Sequence, residues 1–367
     1  MAKYIYQHKN WTNFIWNEDL IRDLFGEVRY LQGKLNGIMS TIGFSQKEET
    51  LLNTFTCDIL KSSEIEGELL NYAQVRSSIA RRLGIETAGL VQSARHIEGV
   101  VEMMLDATQR YEQPLTEERL FGWHNALFPN SYSGAYKINA ACYRKDEMQV
   151  VSGVIGKEKV FYEAVPQALV QQEMDKFLHW LNFDFSIDGI LKAAIAHFWF
   201  IIIHPFDDGN GRIARTITDM QLARAEKSPQ RFYSLSSQIL VEKKAYYDVL
   251  QIVKWNADSD ITAWLAFFLN CMKNALLASE QATTHIIRKA KFWAIHKYTP
   301  INARQRFMLN KLLDGDFVGK LQSSKWAKIC KCSQDTATRD MKDLIAKDIL
   351  RQEEGGGRNT NYELTKI

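Results

Sequence analysis

The sequence predicts a mainly helical protein with one small β-hairpin near its middle. Apolar residues at helical spacing dominate the 367-residue chain, as in Glu18 to Met39, where Leu20, Ile21, Leu24, Phe25, Val28, Leu31 and Leu35 recur. Only Val150 to Phe161, with Gly153 and Gly156, reads as a hairpin in the middle of the chain. Its 6 prolines are too few, and low-complexity linkers too absent, to mark sharp domain boundaries.

Trp11 and Trp16 near the start read as core anchors. After the Glu18–Met39 helix, a second runs from Lys47 to Lys61 and feeds Ser62-Ser63-Glu64-Ile65-Glu66-Gly67. Ser62 and Glu66 are four apart and share a helical face. The stretch from Ala193 to Ile203 is almost wholly apolar and reads as a buried helix. It opens abruptly into His204-Pro205-Phe206-Asp207-Asp208-Gly209-Asn210-Gly211-Arg212-Ile213-Ala214-Arg215. Arg212 to Met220 then reads as another helix, so this loop lies at a helix N-terminus. A boundary is expected near residue 300, where Thr299-Pro300 follows a long helix.

Composition sets bounds. A formal net charge of +3 gives no global electrostatic case for nucleic acid. The first nine residues lack the apolar core of a signal peptide, and Leu191 to Ile203 carries Lys192 and His197 and is too short to span a bilayer. A soluble, cytoplasmic protein without a membrane partner is expected. The five cysteines (Cys57, Cys142, Cys271, Cys330, Cys332) form no CxxC pair, and Cys330-Lys331-Cys332 reads as packing.

The loop concentrates the chemistry. Gly209 and Gly211 lack Cβ atoms, so backbone N–H groups can approach an anion closely. The helix N-terminus adds unsatisfied donors and partial positive charge. Arg212 and Arg215 lie three apart on one helical face and can grip phosphate oxygens. Asp208 is a hard oxygen ligand suited to a Mg²⁺ that also touches phosphates. His204, at the other end of the loop, is placed to take a proton from an attacking hydroxyl. Together these point to phosphoryl or nucleotidyl transfer.

The run matches HPFx[D/E]GNGRxxR, and on it the chain resembles Fic-domain proteins. Ala196 to Ile203 resembles the helix leading into the Fic loop, and Tyr143-Arg144 with Met148 to Gly153 resembles the flap that clamps a target segment. The resemblance spans roughly residues 95–275. It implies a Fic helical core with a small β-hairpin flap, preceded by an N-terminal helical extension. By that resemblance His204 is the general base, and Asp208 holds Mg²⁺ across the phosphates of ATP. Gly209, Asn210 and Gly211 bind the α-phosphate region, Arg212 the α/β-phosphates and Arg215 the γ-phosphate. Val150, Val151, Ser152 and Gly153 pass near the nucleotide, and Tyr246-Tyr247 resembles a pair shaping the adenine pocket. A family Asn beyond that pair is not matched; Lys254 lies near its place.

Ser62 to Gly67 fits [S/T]xxxE[G/N], the Fic inhibitory helix, and implies that Ser62, Glu66 and Gly67 form an inhibitor in which Glu66 pairs with Arg215 and obstructs the γ-phosphate. At the C-terminus, Arg304–Leu313, Trp326–Ile329 and Ser333–Lys347 read as helices, and Leu350–Glu354 and Tyr362–Leu364 as strands around a Gly355–Arg358 tip. The whole looks like a winged helix, with Gln334, Thr336, Thr338, Arg339, Lys342 and Arg358 on its exposed side and Asp335, Asp340 and Asp343 interrupting the helix face. Such a module docks DNA or protein. The expected domains are therefore 1–94 (helical extension with the inhibitory helix), 95–299 (catalytic) and 300–367 (winged helix).

The leading expectation is an autoinhibited protein adenylyltransferase that moves AMP from ATP to a Ser, Thr or Tyr hydroxyl of a target protein or of itself. The alternatives are a DNA-binding regulator using the core as a nucleotide sensor, and transfer of another phosphate-containing group. A homodimer is expected by analogy alone.

Overall fold

Short polar side chains set where several helices begin. Asn17, Asn71, Thr116 and Asp188 each accept from a backbone N–H two or three residues on, at 2.8–3.2 Å, satisfying donors that a helix start leaves open. The computed structural model describes residues 4–86, 89–152, 159–255, 258–313, 317, 319–353 and 360–365. They form two compact units, Met1–Ser279 and Glu280–Ile367.

The first unit opens with α1 (Glu18–Thr41), α2 (Phe44–Ile65) and α3 (Tyr72–Leu83), then α4 (Arg95–Gln109) and α5 (Glu117–Leu127). Two antiparallel hairpins follow. The first pairs β1 (Tyr132–Ser133) with β2 (Tyr136–Lys137), and the second pairs β3 (Gln149–Ser152) with β4 (Lys159–Glu163). The β3–β4 pair falls where the hairpin is expected, and its register shifts between Val150 and Val151. Helices α6 (Val170–Phe183), α7 (Gly189–Ile203), α8 (Asn210–Glu226), α9 (Leu235–Val241) and α10 (Lys243–Lys254) follow, and α11 (Thr262–Ile295) belongs to this unit up to Ser279 and to the second from Glu280.

Helix α7 is the centre of this unit. It is apolar on all sides and buried on all sides from Lys192 to Ile203, as a helix without a polar face must be. It packs against α8, which is buried from Arg212 to Ala223 despite a polar sequence. Polar residues survive there because they are paired. Arg231 reaches Asp219 of α8 at 2.5 Å and Asp58 of α2 at 2.9 Å, and Ser234 donates to Asp58 at 2.6 Å. This buried cluster ties α2 to α8. Trp11 is in the core as expected, and Trp16 packs partly buried against it.

The second unit holds α12 (Ala303–Leu313), α13 (Ser323–Ile329) and α14 (Gln334–Ala346), with β5 (Leu350–Gln352) antiparallel to β6 (Tyr362–Leu364). Leu321 bridges to Tyr362. Its core gathers Phe292, Met308, Leu309, Leu321, Trp326, Met341, Leu344 and Ile349. Ser333 caps α14 by accepting from the Thr336 N–H at 3.2 Å. Asp340 is not on the exposed helix face expected for it: it is buried and accepts from Asn302 and Arg304 at 2.8–3.1 Å. Asp343 is exposed, and accepts from Gln305 at 2.7 Å. Gln334, Asp335, Arg339 and Lys342 are exposed, whereas the Gly355–Arg358 tip lies outside the described residues. Among the described residues no helix is long and apolar enough to cross a membrane, and no group of three or more His, Cys, Asp or Glu gathers as a metal cage.

Candidate active site

The loop between α7 and α8 is braced from every side. His204 ends α7 in the left-handed region (φ 51°), and Gly209 starts α8 there too (φ 81°). A side chain at Gly209 would also strike Phe128, with its Cβ 2.8 Å from the ring. Arg144, buried, donates from Nε to the His204 carbonyl at 2.9 Å, and its backbone N–H donates to the Pro205 carbonyl at 2.9 Å. Its other nitrogens reach the carbonyls of Asp146 and Val165 on either side of the β3–β4 hairpin. One side chain thus fixes both the histidine backbone and the base of the hairpin. Tyr162 of β4 adds a second tie, its hydroxyl donating to the Ile202 carbonyl at 2.8 Å.

His124 lies flat on Phe206, with ring centroids 4.1 Å apart. Its Nδ1 accepts from the Ala141 N–H at 3.1 Å, so the proton is on Nε2, which donates to the Asp208 carbonyl at 3.2 Å. Burial pushes this imidazole down to about 4, which keeps it neutral in that tautomer. Asp207 accepts from both the backbone and side-chain N–H of Asn139 at 2.8 Å. Inside the loop, Asn210 closes a ring on Phe206, accepting from its N–H at 3.0 Å and donating to its carbonyl at 2.8 Å. With 2 % exposure and both ends of its amide used, Asn210 is a brace of the loop.

His204 points its Nδ1 at the Ile201 carbonyl, 3.4 Å away. A carbonyl only accepts, so Nδ1 carries the proton and Nε2 keeps a lone pair. Burial, reinforced by the positive charges of Lys254 and Arg144, pushes His204 down to about 3. It is neutral at physiological pH, with a lone pair on Nε2.

On the other side of the loop, Asp208, Arg212 and Arg215 meet the end of α2. Arg215 is buried; its Nε donates to the Ser62 hydroxyl at 2.8 Å, and its Nη2 to the Ser62 carbonyl and the Glu66 carboxylate, both at 2.8 Å. The Glu66 carboxylate rests on the first turn of α8, where a Cβ on Gly211 would come 2.1 Å from its oxygen. It therefore occupies the positive end of the helix, as an anion would. Arg212 donates to Glu68 at 2.6 Å and lies over the Phe128 ring, 5.0 Å from its centroid. Asp208 is 44 % exposed, accepts from Ser133 and stands 4.0 Å from Arg212. Glu66, Glu68, Ser133, Asp208 and Arg212 line one cleft of about 630 Å³. A single, partly exposed carboxylate beside an arginine suits a Mg²⁺ whose other ligands are phosphate oxygens and water; Asp208 fits that description.

Other expected residues sit less directly. Val150, Val151 and Ser152 form β3, whereas Gly153 lies outside the described residues. Tyr246 is buried, with its hydroxyl 2.8 Å from His197 Nε2, and Tyr247 is only partly buried beside it. Lys254 is buried over the Tyr162 ring, 4.3 Å from its centroid, and burial pushes its amine down to about 7. Sequence reasoning missed His124, Asn139 and Glu68, and read Arg144 only as part of the flap, not as a tie to the loop. His124, Asn139 and Arg144 act on the loop through contacts distant in sequence; Glu68 had a local signal, as an acid just past Gly67.

A family model described as the Fic/DOC family matches residues 114–222, and one described as a domain of unknown function (DUF4172) matches residues 4–85. The protein adenylyltransferase Fic of Culex quinquefasciatus is 32% identical over 108 residues, which is 28% of this chain and 19% of that protein. The protein adenylyltransferase fic-1 of Caenorhabditis elegans is 36% identical over 70 residues, 18% of this chain and 14% of that protein. The chain thus spans no more than about a fifth of the curated relatives it matches. Among solved structures, a Fic family protein from Desulfovibrio desulfuricans G20 superposes with a TM-score of 0.53 at 18% identity, covering 95% of this chain and 96% of that one. A Fic-1 fragment from C. elegans superposes at 0.51 and 20% identity, covering 73% and 74%. The loop, its two helices and the hairpin beside it lie within the matched residues or pack against them, and the chain carries a Fic/DOC family domain at residues 114–222.

Proposed function

We propose that this chain is a protein adenylyltransferase held inactive by its own N-terminal block. In the reaction, His204 Nε2 takes the proton of a Ser, Thr or Tyr hydroxyl on a target protein or on the chain itself. The freed oxygen attacks the α-phosphorus of ATP, the bond to the β-phosphate oxygen breaks, AMP is transferred and pyrophosphate leaves. The negative charge of a bound triphosphate would raise His204 from its low resting value toward the working range of a base. Arg212, Arg215 and the N–H groups of the first turn of α8 neutralise phosphate charge. Asp208 would hold Mg²⁺, which supplies further neutralisation between the phosphates.

One observation carries the inhibited reading: Ser62 and Glu66 together take the Nε and Nη2 donors of Arg215, with the Glu66 carboxylate on the helix turn that would receive phosphate. Residues 1–94 then act as the inhibitory extension and 95–299 as the catalytic part. The segment 300–367 reads as a winged-helix docking module, supported by three helices followed by an antiparallel strand pair.

The test is label incorporation into the purified chain from α-labelled and γ-labelled ATP. Wild type, Glu66→Gly and Glu66→Gly/His204→Ala are compared. Label from α-ATP that rises in Glu66→Gly and vanishes in the double variant is expected. Label from γ-ATP instead would mean kinase action, and an unchanged low level in Glu66→Gly would sink the inhibited reading.

A further inference from the structure

Arg212 and Arg215, at the start of α8, are both engaged by carboxylates from one turn of chain. Glu66 is on Arg215 at 2.8 Å and Glu68 is on Arg212 at 2.6 Å. Within a helix, residues two apart face different directions and could not do this. Here α2 stops at Ile65, and Gly67 takes a left-handed conformation (φ 86°) that turns the chain back. The turn is anchored: the N–H groups of Glu66 and Glu68 both donate to the Ser63 carbonyl, at 3.1 and 3.0 Å, and Lys243 holds the Ile65 carbonyl at 2.5 Å. A Cβ on Gly67 would meet nothing within 4 Å, so glycine serves the backbone there and not the packing.

Arg212 is 8 % exposed, sandwiched between Glu68 and the Phe128 ring, and its buried Nε has no hydrogen-bond partner among the described residues. A buried guanidinium with a donor to spare, facing a cleft that Asp208 also lines, is a phosphate gripper whose grip is already taken.

We propose that Glu68 is a second inhibitory carboxylate, closing the nucleotide cleft at Arg212 as Glu66 closes it at Arg215. This rests on the adenylyltransferase reading and specifies its regulation. The two contacts hold different donors on different arginines, so each opposes triphosphate binding in its own right. Removing Glu66 alone leaves Arg212 occupied, and the cleft is then only half released.

The experiment is equilibrium titration of MgATP into the full chain. Every variant carries His204→Ala, so that no transfer consumes nucleotide. Glu66→Gly is compared with Glu66→Gly/Glu68→Gln and with Glu66→Gly/Glu64→Gln. Glu64 is an equal charge nearby, but it pairs with Lys61 at 2.8 Å. Glu68→Gln is expected to tighten MgATP binding about three- to tenfold over Glu66→Gly, the scale of a partly exposed charged pair. Glu64→Gln is expected to leave it unchanged. If Glu66→Gly binds and Glu68→Gln binds no tighter, the second lock is wrong and the adenylyltransferase reading stands. Equal tightening by Glu64→Gln would also overturn it, by reducing the effect to bulk charge. Binding by none of the variants would overturn both.

Discussion

Substituting Asn210 by Ala separates two roles that its position allows. As a ligand for the α-phosphate region, its loss would weaken nucleotide binding and leave stability alone. The structure assigns the amide to the Phe206 N–H and carbonyl, at 3.0 and 2.8 Å, with the side chain 2 % exposed. Alanine would leave two backbone groups buried and unpaired beneath the loop. Each such group costs about 1–3 kcal/mol, so the pair should cost about 2–4 kcal/mol after some relaxation toward water. For a unit of this size that is roughly 5–10 °C of melting temperature. Thermal unfolding followed by tryptophan fluorescence reads it, with MgATP titration of the Glu66→Gly background beside it. A variant as stable as wild type that no longer binds nucleotide would refute the brace and restore the ligand.

Two further outcomes follow from the buried polar groups. Asp58→Ala should destabilise the first unit by about 3–5 kcal/mol, the cost of breaking a buried pair from one side, because Arg231 and Ser234 both rely on that carboxylate; chemical denaturation would show it, and a loss below about 1 kcal/mol would mean that Asp219 alone satisfies Arg231. Acid should destabilise the chain early. His124 and His197 are fully buried with folded values pushed down by burial to about 4 and about 3, from an ordinary 6.5. The unfolded chain therefore binds more protons below pH 6.5, and stability present above that pH is lost as pH falls toward 4 and 3. At pH 5 each histidine should account for about 2 kcal/mol, and an unfolding midpoint that does not move between pH 7.5 and 5 would contradict this.

The helical class, the hairpin and the loop were legible in the chain because each depends on local pattern. Glu18–Met39 reads as a helix from its apolar spacing, and the helix observed is Glu18–Thr41. Ser62 and Glu66 could be put on one face by counting four, and the His204–Arg215 run carries its glycines and arginines in plain order. Sequence by itself thus determined which groups crowd the site. What only tertiary structure decided is what each group is bonded to. Asn210 looks like a ligand in the run, and the fold also bonds its amide to Phe206 four residues back. Asp340 looks like a charge on an exposed helix, yet it is buried against Arg304 of α12 and Asn302 just before it. Arg144 and His124, sixty and more residues from the loop, hold it in place without any local mark. The physical reason is common to all of these. A buried polar group must find its partner wherever the fold brings one, and hydrogen bonds between distant segments leave no period in the sequence. Glu68 could be seen in the sequence as an acid past Gly67, but its partner Arg212 was set only by the left-handed turn there.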